Sequence, residues 1–186
     1  MGRVVVTENS TLDGVVEALD GWFDPQGGEE DTADVLAVVQ EHMAAQTGFL
    51  VGRRTFEEMR GFWPAQTDDP TGITAHLDAV QKFVVSRTLS DPGWANTRVL
   101  SGDPVEEVRA LRASDDGEIG VTGSITLCHA LIGAGLVDEY RLFVFPRVLG
   151  RGRRLFPDGV DVRLRRVAAR EFRAGTTLLT YRPTHG

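Results

Sequence analysis

Three short clusters combine glycine, hydroxyl and arginine in a way that suits one chemistry, the capture of an anion. Gly52-Arg53-Arg54-Thr55 follows the apolar run Phe49-Leu50-Val51, Ser86-Arg87-Thr88 follows Phe83-Val84-Val85, and Thr122-Gly123-Ser124 follows Ile119-Gly120-Val121. Each run reads as a strand, and a helical pattern opens after the first and third clusters. Helix starts offer unpaired backbone N–H groups and the positive end of the macrodipole, and an arginine adds a planar fork that matches a phosphate. A Gly-Ser turn alone is ordinary turn chemistry, so the Arg-Arg-Thr helix start is the more informative of the two. The plain alternative leaves Arg53 and Arg54 solvated. A fourth basic group, Arg151, Arg153 and Arg154, crowds one loop, where a local cationic site suits a small anion and a solvated turn is the competing reading. Trp22 and Phe23 sit in a stretch rich in Gly, Asp and Pro, as in a loop that covers a ligand or one that tucks its rings under itself to finish the core.

The elements that must position these groups follow from periodicity. Within residues 3–8 the apolar residues Val4, Val5 and Val6 are consecutive and predict a strand buried on both faces. From Thr32, a plausible N-cap, Val35, Val38, Val39, His42 and Met43 recur at helical spacing, with Asp34 in the first turn and His42 as a packing residue beside the stripe. Strands are expected at 48–52, 82–86, 97–100 and 118–121. Asp103-Pro104-Val105-Glu106 supplies a cap, a proline at the first position and a glutamate three residues on, so a helix starts there. Ser124 can cap a helix over 125–136, with Gly133 and Gly135 ending it. A strand over 140–145 follows, then an antiparallel pair over 162–172 and 176–181. Strands alternating with helices give an α/β fold with a mixed, mostly parallel sheet and antiparallel C-terminal strands, built as one domain over residues 1–186.

In such sheets ligands bind beyond the carboxyl ends of the strands, where all three clusters fall. Three anion-competent strand ends suit a ligand with several phosphates, and the pyrophosphate and 2′-phosphate of NADPH need two helix starts and one further arginine. No Gly-Lys-Ser/Thr phosphate loop is present, which disfavours a nucleotide triphosphatase. The formal charge of −7 argues against nucleic-acid and anionic-membrane partners. No apolar segment approaches the roughly 18 residues of a membrane span. The single cysteine, Cys128, excludes an intramolecular disulfide and a thiolate zinc cluster, so no metal site is expected. With no leader before the first strand, the expectation is a soluble cytoplasmic protein.

Thr11-Leu12-Asp13-Gly14, Leu50-Val51-Gly52-Arg53-Arg54-Thr55-Phe56, Val84-Val85-Ser86-Arg87, Gly123-Ser124-Ile125-Thr126-Leu127 and Gly135-Leu136-Val137-Asp138-Glu139-Tyr140, through Pro146-Arg147-Val148-Leu149-Gly150-Arg151-Gly152, occur in an order that resembles the dihydrofolate reductase-like superfamily. Within it they are most similar to the C-terminal reductase domain of the riboflavin-biosynthesis deaminase-reductase. The resemblance covers nearly the whole chain. It implies a three-layer α/β/α fold, NADPH-dependent reduction of a pterin, folate or ribosylaminopyrimidine, and a homodimer. It also implies that Gly52, Arg53, Arg54 and Thr55 hold the pyrophosphate side, Ser86 and Arg87 the 2′-phosphate, and Gly123, Ser124 and Ile125 the other pyrophosphate face. Leu12, Asp13 and Gly14 are then near the nicotinamide, and Trp22, Phe23, Arg151, Arg153 and Arg154 are available to substrate. The sequence departs from the family at Thr122-Gly123-Ser124, where a Gly-Gly cis peptide is common, and in its acid, for which Asp31 and Asp34 are the nearest candidates. Those departures motivate the competing reading, a nucleotide-binding module without catalysis that serves as a sensor or assembly subunit.

Overall fold

A computed structural model describes residues 1–19, 21–23 and 32–184. Strand β1 (Arg3–Thr11) lies inside an eight-stranded sheet with β2 (Gln46–Gly52), β3 (Gln81–Val85), β4 (Thr97–Leu100), β5 (Glu118–Val121), β6 (Glu139–Phe145), β7 (Leu164–Glu171) and β8 (Thr177–Pro183), in the order β4-β3-β2-β5-β1-β6-β8-β7. Every pairing from β4 to β6 is parallel, and β8 then pairs antiparallel with both β6 and β7. The terminal pair therefore spans 164–171 and 177–183 rather than the expected 162–172 and 176–181.

Helices α1 (Ala33–Ala45), α2 (Arg53–Phe62), α3 (Ile73–Ala79), α4 (Pro104–Ser114) and α5 (Ile125–Gly133) cover the sheet. Alternation along β2 assigns the faces: Leu50 joins Val108 and Leu111 of α4 and Leu131 of α5 in one apolar cluster, while Phe49 and Val51 pack with Phe56 of α2 and Leu77 of α3 in another. A third, small cluster sets Val38 of α1 against Phe143 and Leu178. Three layers result. The short α3 is not among the helices expected from the sequence; its start is fixed by Gly72 at φ 76° and by Asp69, which accepts hydrogen bonds from the backbone of Thr71 and Thr74.

Capping separates into two cases. Asp103 accepts from the N–H groups of Val105 and Glu106, as its sequence context demands. Thr32 and Ser124 make no side-chain cap, contrary to expectation. Ser124 instead sits at φ 55°, which turns its hydroxyl away from its own helix and toward β2.

Register sets the geometry of the site. The last β1–β5 pair is Val6 with Val121, yet β1 continues against β6 as far as Thr11 with Phe145. Ending β5 five residues early opens a notch beside β1 at the carboxyl edge, and the 122–124 turn occupies it. Gly52 ends β2, Ser86 follows β3 and Gly123 lies two residues past β5, so all three share that edge.

Candidate functional site

Two of the three strand ends are linked directly. Gly52 donates its N–H to Ser124 Oγ at 2.8 Å, and Ser124 returns its own N–H to Thr55 Oγ1 at 3.0 Å. The α2 and α5 starts are thus held together by a reciprocal pair of hydrogen bonds. Gly123, at φ 63°, passes so close to Thr55 that an added Cβ would lie 3.0 Å from its Cγ2, so a glycine is needed both for backbone conformation and for space. Ile125, the first α5 residue, is buried and anchors the turn to the core. No cis peptide occurs among the described residues.

Beside this turn is a cleft of about 440 Å³ lined by Arg53, Val85, Ser86, Arg87, Thr88, Gly102 and Pro104. Ser86 is buried, and its Oγ accepts from the N–H groups of Thr88 at 3.2 Å and Leu89 at 3.0 Å. That shapes the loop and leaves the hydroxyl hydrogen as a donor. Arg87 is exposed, with no ion pair or hydrogen bond among the described residues. Arg53 reaches Glu57 at 3.1 Å, an exposed pair that costs little to break. Arg54 pairs with Glu58 and does not line the cleft. Two arginines, a serine hydroxyl and two adjoining helix starts therefore converge, and this donor set fits a phosphorylated dinucleotide.

Farther along the same edge, beyond the ends of β1 and β6, the 12–16 and 147–155 segments are joined. Asp13 accepts from Thr11 Oγ1 at 2.6 Å, Leu149 N at 3.2 Å and Gly150 N at 2.8 Å; the Thr11 hydroxyl foremost, with Gly150 N–H, holds its carboxyl down at about 2. Its role is to fasten the two loops, with Gly14 at φ 84° completing the bend. Leu12, by contrast, is 69% exposed at the rim. Arg153 is taken up by Glu17 at 2.9 Å, and Arg154 donates to the Asp13 carbonyl at 3.1 Å; Arg151 is exposed on the same loop. Trp22 is buried, donates its indole N–H to Glu17 O at 2.8 Å and meets the Phe145 ring edge-on at 5.5 Å, with Phe23 at 5.7 Å from the same ring. The aromatic pair thus closes over the end of β6.

Asp34 is committed elsewhere: Oδ1 accepts from Val35 N at 2.9 Å and Oδ2 from Arg173 N at 3.1 Å, tying α1 to the β7–β8 turn. Asp31 falls outside the described residues. His42, expected to be a satisfied packing residue, instead has no partner for Nδ1 among the described residues; burial, with the nearby Arg141 charge, pushes the ring down to about 4, so it is neutral. Thr7 Oγ1 is likewise buried and unpartnered among the described residues. The acid that sequence reading missed is Glu8, 4% exposed on β1 and lying behind Gly123. A glutamate inside a run of residues buried on both faces was the available signal. Among the described residues no group of acidic, histidine and cysteine side chains is placed to hold a metal, and no helix is long and apolar enough to cross a membrane.

Similarity to known proteins follows the same geometry. The uncharacterized protein YyaP of Bacillus subtilis is 29% identical over 188 residues, covering 96% of this chain and 94% of that protein. A putative riboflavin biosynthesis protein from Shewanella sp. PV-4 superposes with a TM-score of 0.70 at 21% identity, covering 98% of this chain and 99% of the other. Dihydrofolate reductase from Enterococcus faecalis, solved with NADP(H), gives 0.64 at 17% identity over 98% and 97%. RibD of Acinetobacter baumannii gives 0.65 at 17% identity, with 99% of this chain matching 58% of that longer protein. These structures share the fold, and the sequence signal is stronger still, because residues 3–178 match the profile of the RibD C-terminal domain; the chain belongs to the RibD C-terminal domain family.

Proposed function

We propose that the protein is an NADPH-dependent reductase that transfers hydride to a C=N or C=O bond of a small heterocycle of the pterin, folate or ribosylaminopyrimidine type. The observation that carries this reading is the cleft in which Arg53, Ser86 and Arg87 adjoin the Gly52–Ser124–Thr55 tie, at the carboxyl edge of a reductase-type fold. Arg87, Arg53 and the Ser86 hydroxyl are assigned to the 2′-phosphate. The N–H groups opening α2 and α5 are assigned to the pyrophosphate, and Leu12 and Gly14 to the edge of the nicotinamide. Bound there, the cofactor supplies the hydride; the chain supplies orientation and exclusion of water. Trp22 and Phe23 cover the acceptor ring against Phe145. Arg153 and Arg154 reach a substrate phosphate only by exchanging Glu17 and the Asp13 carbonyl for it. Because both oxygens of Asp34 are held by backbone N–H groups, the acceptor's proton is assigned to water. We place the enzyme in the cytoplasm as a homodimer.

One observation favours a second reading, a nucleotide-binding module without catalysis: the carboxyl group in the first turn of α1 is fully engaged. The two are separated by following NADPH oxidation at 340 nm with pterins, dihydrofolate and ribosylaminopyrimidine phosphates. Substrate-dependent oxidation supports the reductase, whereas tight NADPH binding with no oxidation across the panel leaves the module.

A further inference from the structure

Glu8 occupies an unusual position for a charged residue. It projects from β1, in register with Leu142 of β6, into the side of the sheet covered by α5, and it is 4% exposed. No arginine or lysine forms an ion pair with it among the described residues. Its neighbour is the Cys128 thiol, 4.0 Å from Oε1, with the Gly123 backbone beyond it. Cys128 in turn donates to the Gly123 carbonyl at 3.3 Å. The Gly123 carbonyl is thus gripped from the protein interior through Cys128, with Glu8 behind that thiol, while Ser124 is held from the other side by Thr55 and Gly52. The titratable groups facing Glu8 are Cys128 from α5 and, farther along the same face, Tyr140 from β6; β5 and the 122–124 turn contribute none. Burial foremost, and a neighbouring group in each case, pushes both up from their ordinary alkaline values, so neither supplies charge to Glu8 near neutrality.

A buried carboxyl with no cation is stable only as the neutral acid. Burial accordingly raises Glu8 well above the usual carboxylate range, and the Gly123 N–H offsets only part of that. We propose that Glu8 is a positioning residue for the dinucleotide turn: as a neutral acid it backs the Cys128 thiol that holds the Gly123 carbonyl, and when it ionises, its charge expels the anion that the turn holds. The inference rests on the proposed NADPH site and adds a coupling between proton and cofactor. When the proton leaves to solvent, a full negative charge appears one peptide behind the pyrophosphate position. At the effective dielectric of a partly buried site, this weakens an anion by about tenfold or more.

The test measures NADPH dissociation constants from pH 6 to 9.5 for the wild type and Glu8→Gln, which keeps an acceptor oxygen and cannot ionise. The wild type is expected to lose about tenfold or more at the alkaline end, with Glu8→Gln nearly flat. Parallel profiles in the two proteins overturn the inference, while failure of the wild type to bind NADPH at any pH overturns the functional reading itself. A second measurement needs no variant: in wild-type protein labelled with 13C at glutamate carboxyls, one carboxyl titrates far above the rest, and NADPH moves its midpoint higher. Glutamates that all titrate together in the acid range overturn the proposal.

Discussion

Replacing Arg87 by alanine tests the nucleotide assignment most directly, because its contribution can be estimated from its surroundings. Arg87 borders the 440 Å³ cleft, is exposed, and gives up no partner to meet a phosphate. A hydrogen bond to a charged group is worth about 1.5–3 kcal/mol, and each 1.4 kcal/mol is a factor of ten, so the loss of NADPH affinity should be roughly 10–150-fold. Exposure favours the lower half of that range. NADH lacks the 2′-phosphate and should change little. Arg87→Lys should fall between, since an ammonium keeps the charge and loses the planar fork. Arg53 is expected to add to the effect, because its exposed i,i+4 pair with Glu57 contributes only about 0.3–0.5 kcal/mol and releases it readily. The assay is fluorescence titration of both nucleotides at low and high salt, where the Arg87-dependent difference should shrink as the Debye length falls to a few ångströms. Equal losses for NADH and NADPH in Arg87→Ala, or no preference in the wild type, would refute the assignment.

Four further outcomes are expected. Arg141→Met removes a guanidinium bound to Glu118 at 2.7 and 2.8 Å and to Glu139 at 2.8 Å, all buried, and should cost about 3–5 kcal/mol, read as a fall in Tm of roughly 6–20 °C; a shift below about 2 °C would refute a structural role. Burial pushes Glu139 up, but the Arg182 hydrogen bond and the Arg141 and Arg3 charges hold it below its ordinary 4.5; its stabilisation is therefore complete above that value and lost as pH falls through the lower folded one, so the variant should unfold at higher pH in acid titrations. Asp34→Asn should leave kcat near that of the wild type, and a loss of about 100-fold or more would instead make Asp34 the acid. Sedimentation should give a particle of two chains rather than one of 20.3 kDa, because β7 otherwise leaves an open sheet edge, and a monomer at micromolar concentration would end that proposal.

What was legible in the sequence was local, and what was not depended on which strands became neighbours. Gly52-Arg53-Arg54-Thr55, Ser86-Arg87-Thr88 and Thr122-Gly123-Ser124 declare themselves because each stands at the end of a strand, and the first and third also open a helix. That they share one edge follows from parallel connection alone. The tie between Gly52 and Ser124, 72 residues apart, requires β2 and β5 to be adjacent, and nothing in either segment states that order. The same holds for Asp13, which reads as the corner of an Asp-Gly turn until Leu149 and Gly150 arrive from 136 and 137 residues away. Ser124 shows the conflict most clearly. Its type and position predict a cap, but a left-handed conformation and a nearby Gly52 N–H give its hydroxyl a better use across the sheet than on its own helix. Glu8 is the converse case: its place on a strand with three consecutive valines near its start already suggested burial and so a proton or a cation, and only the fold could say that Cys128 and the Gly123 turn lay beside it.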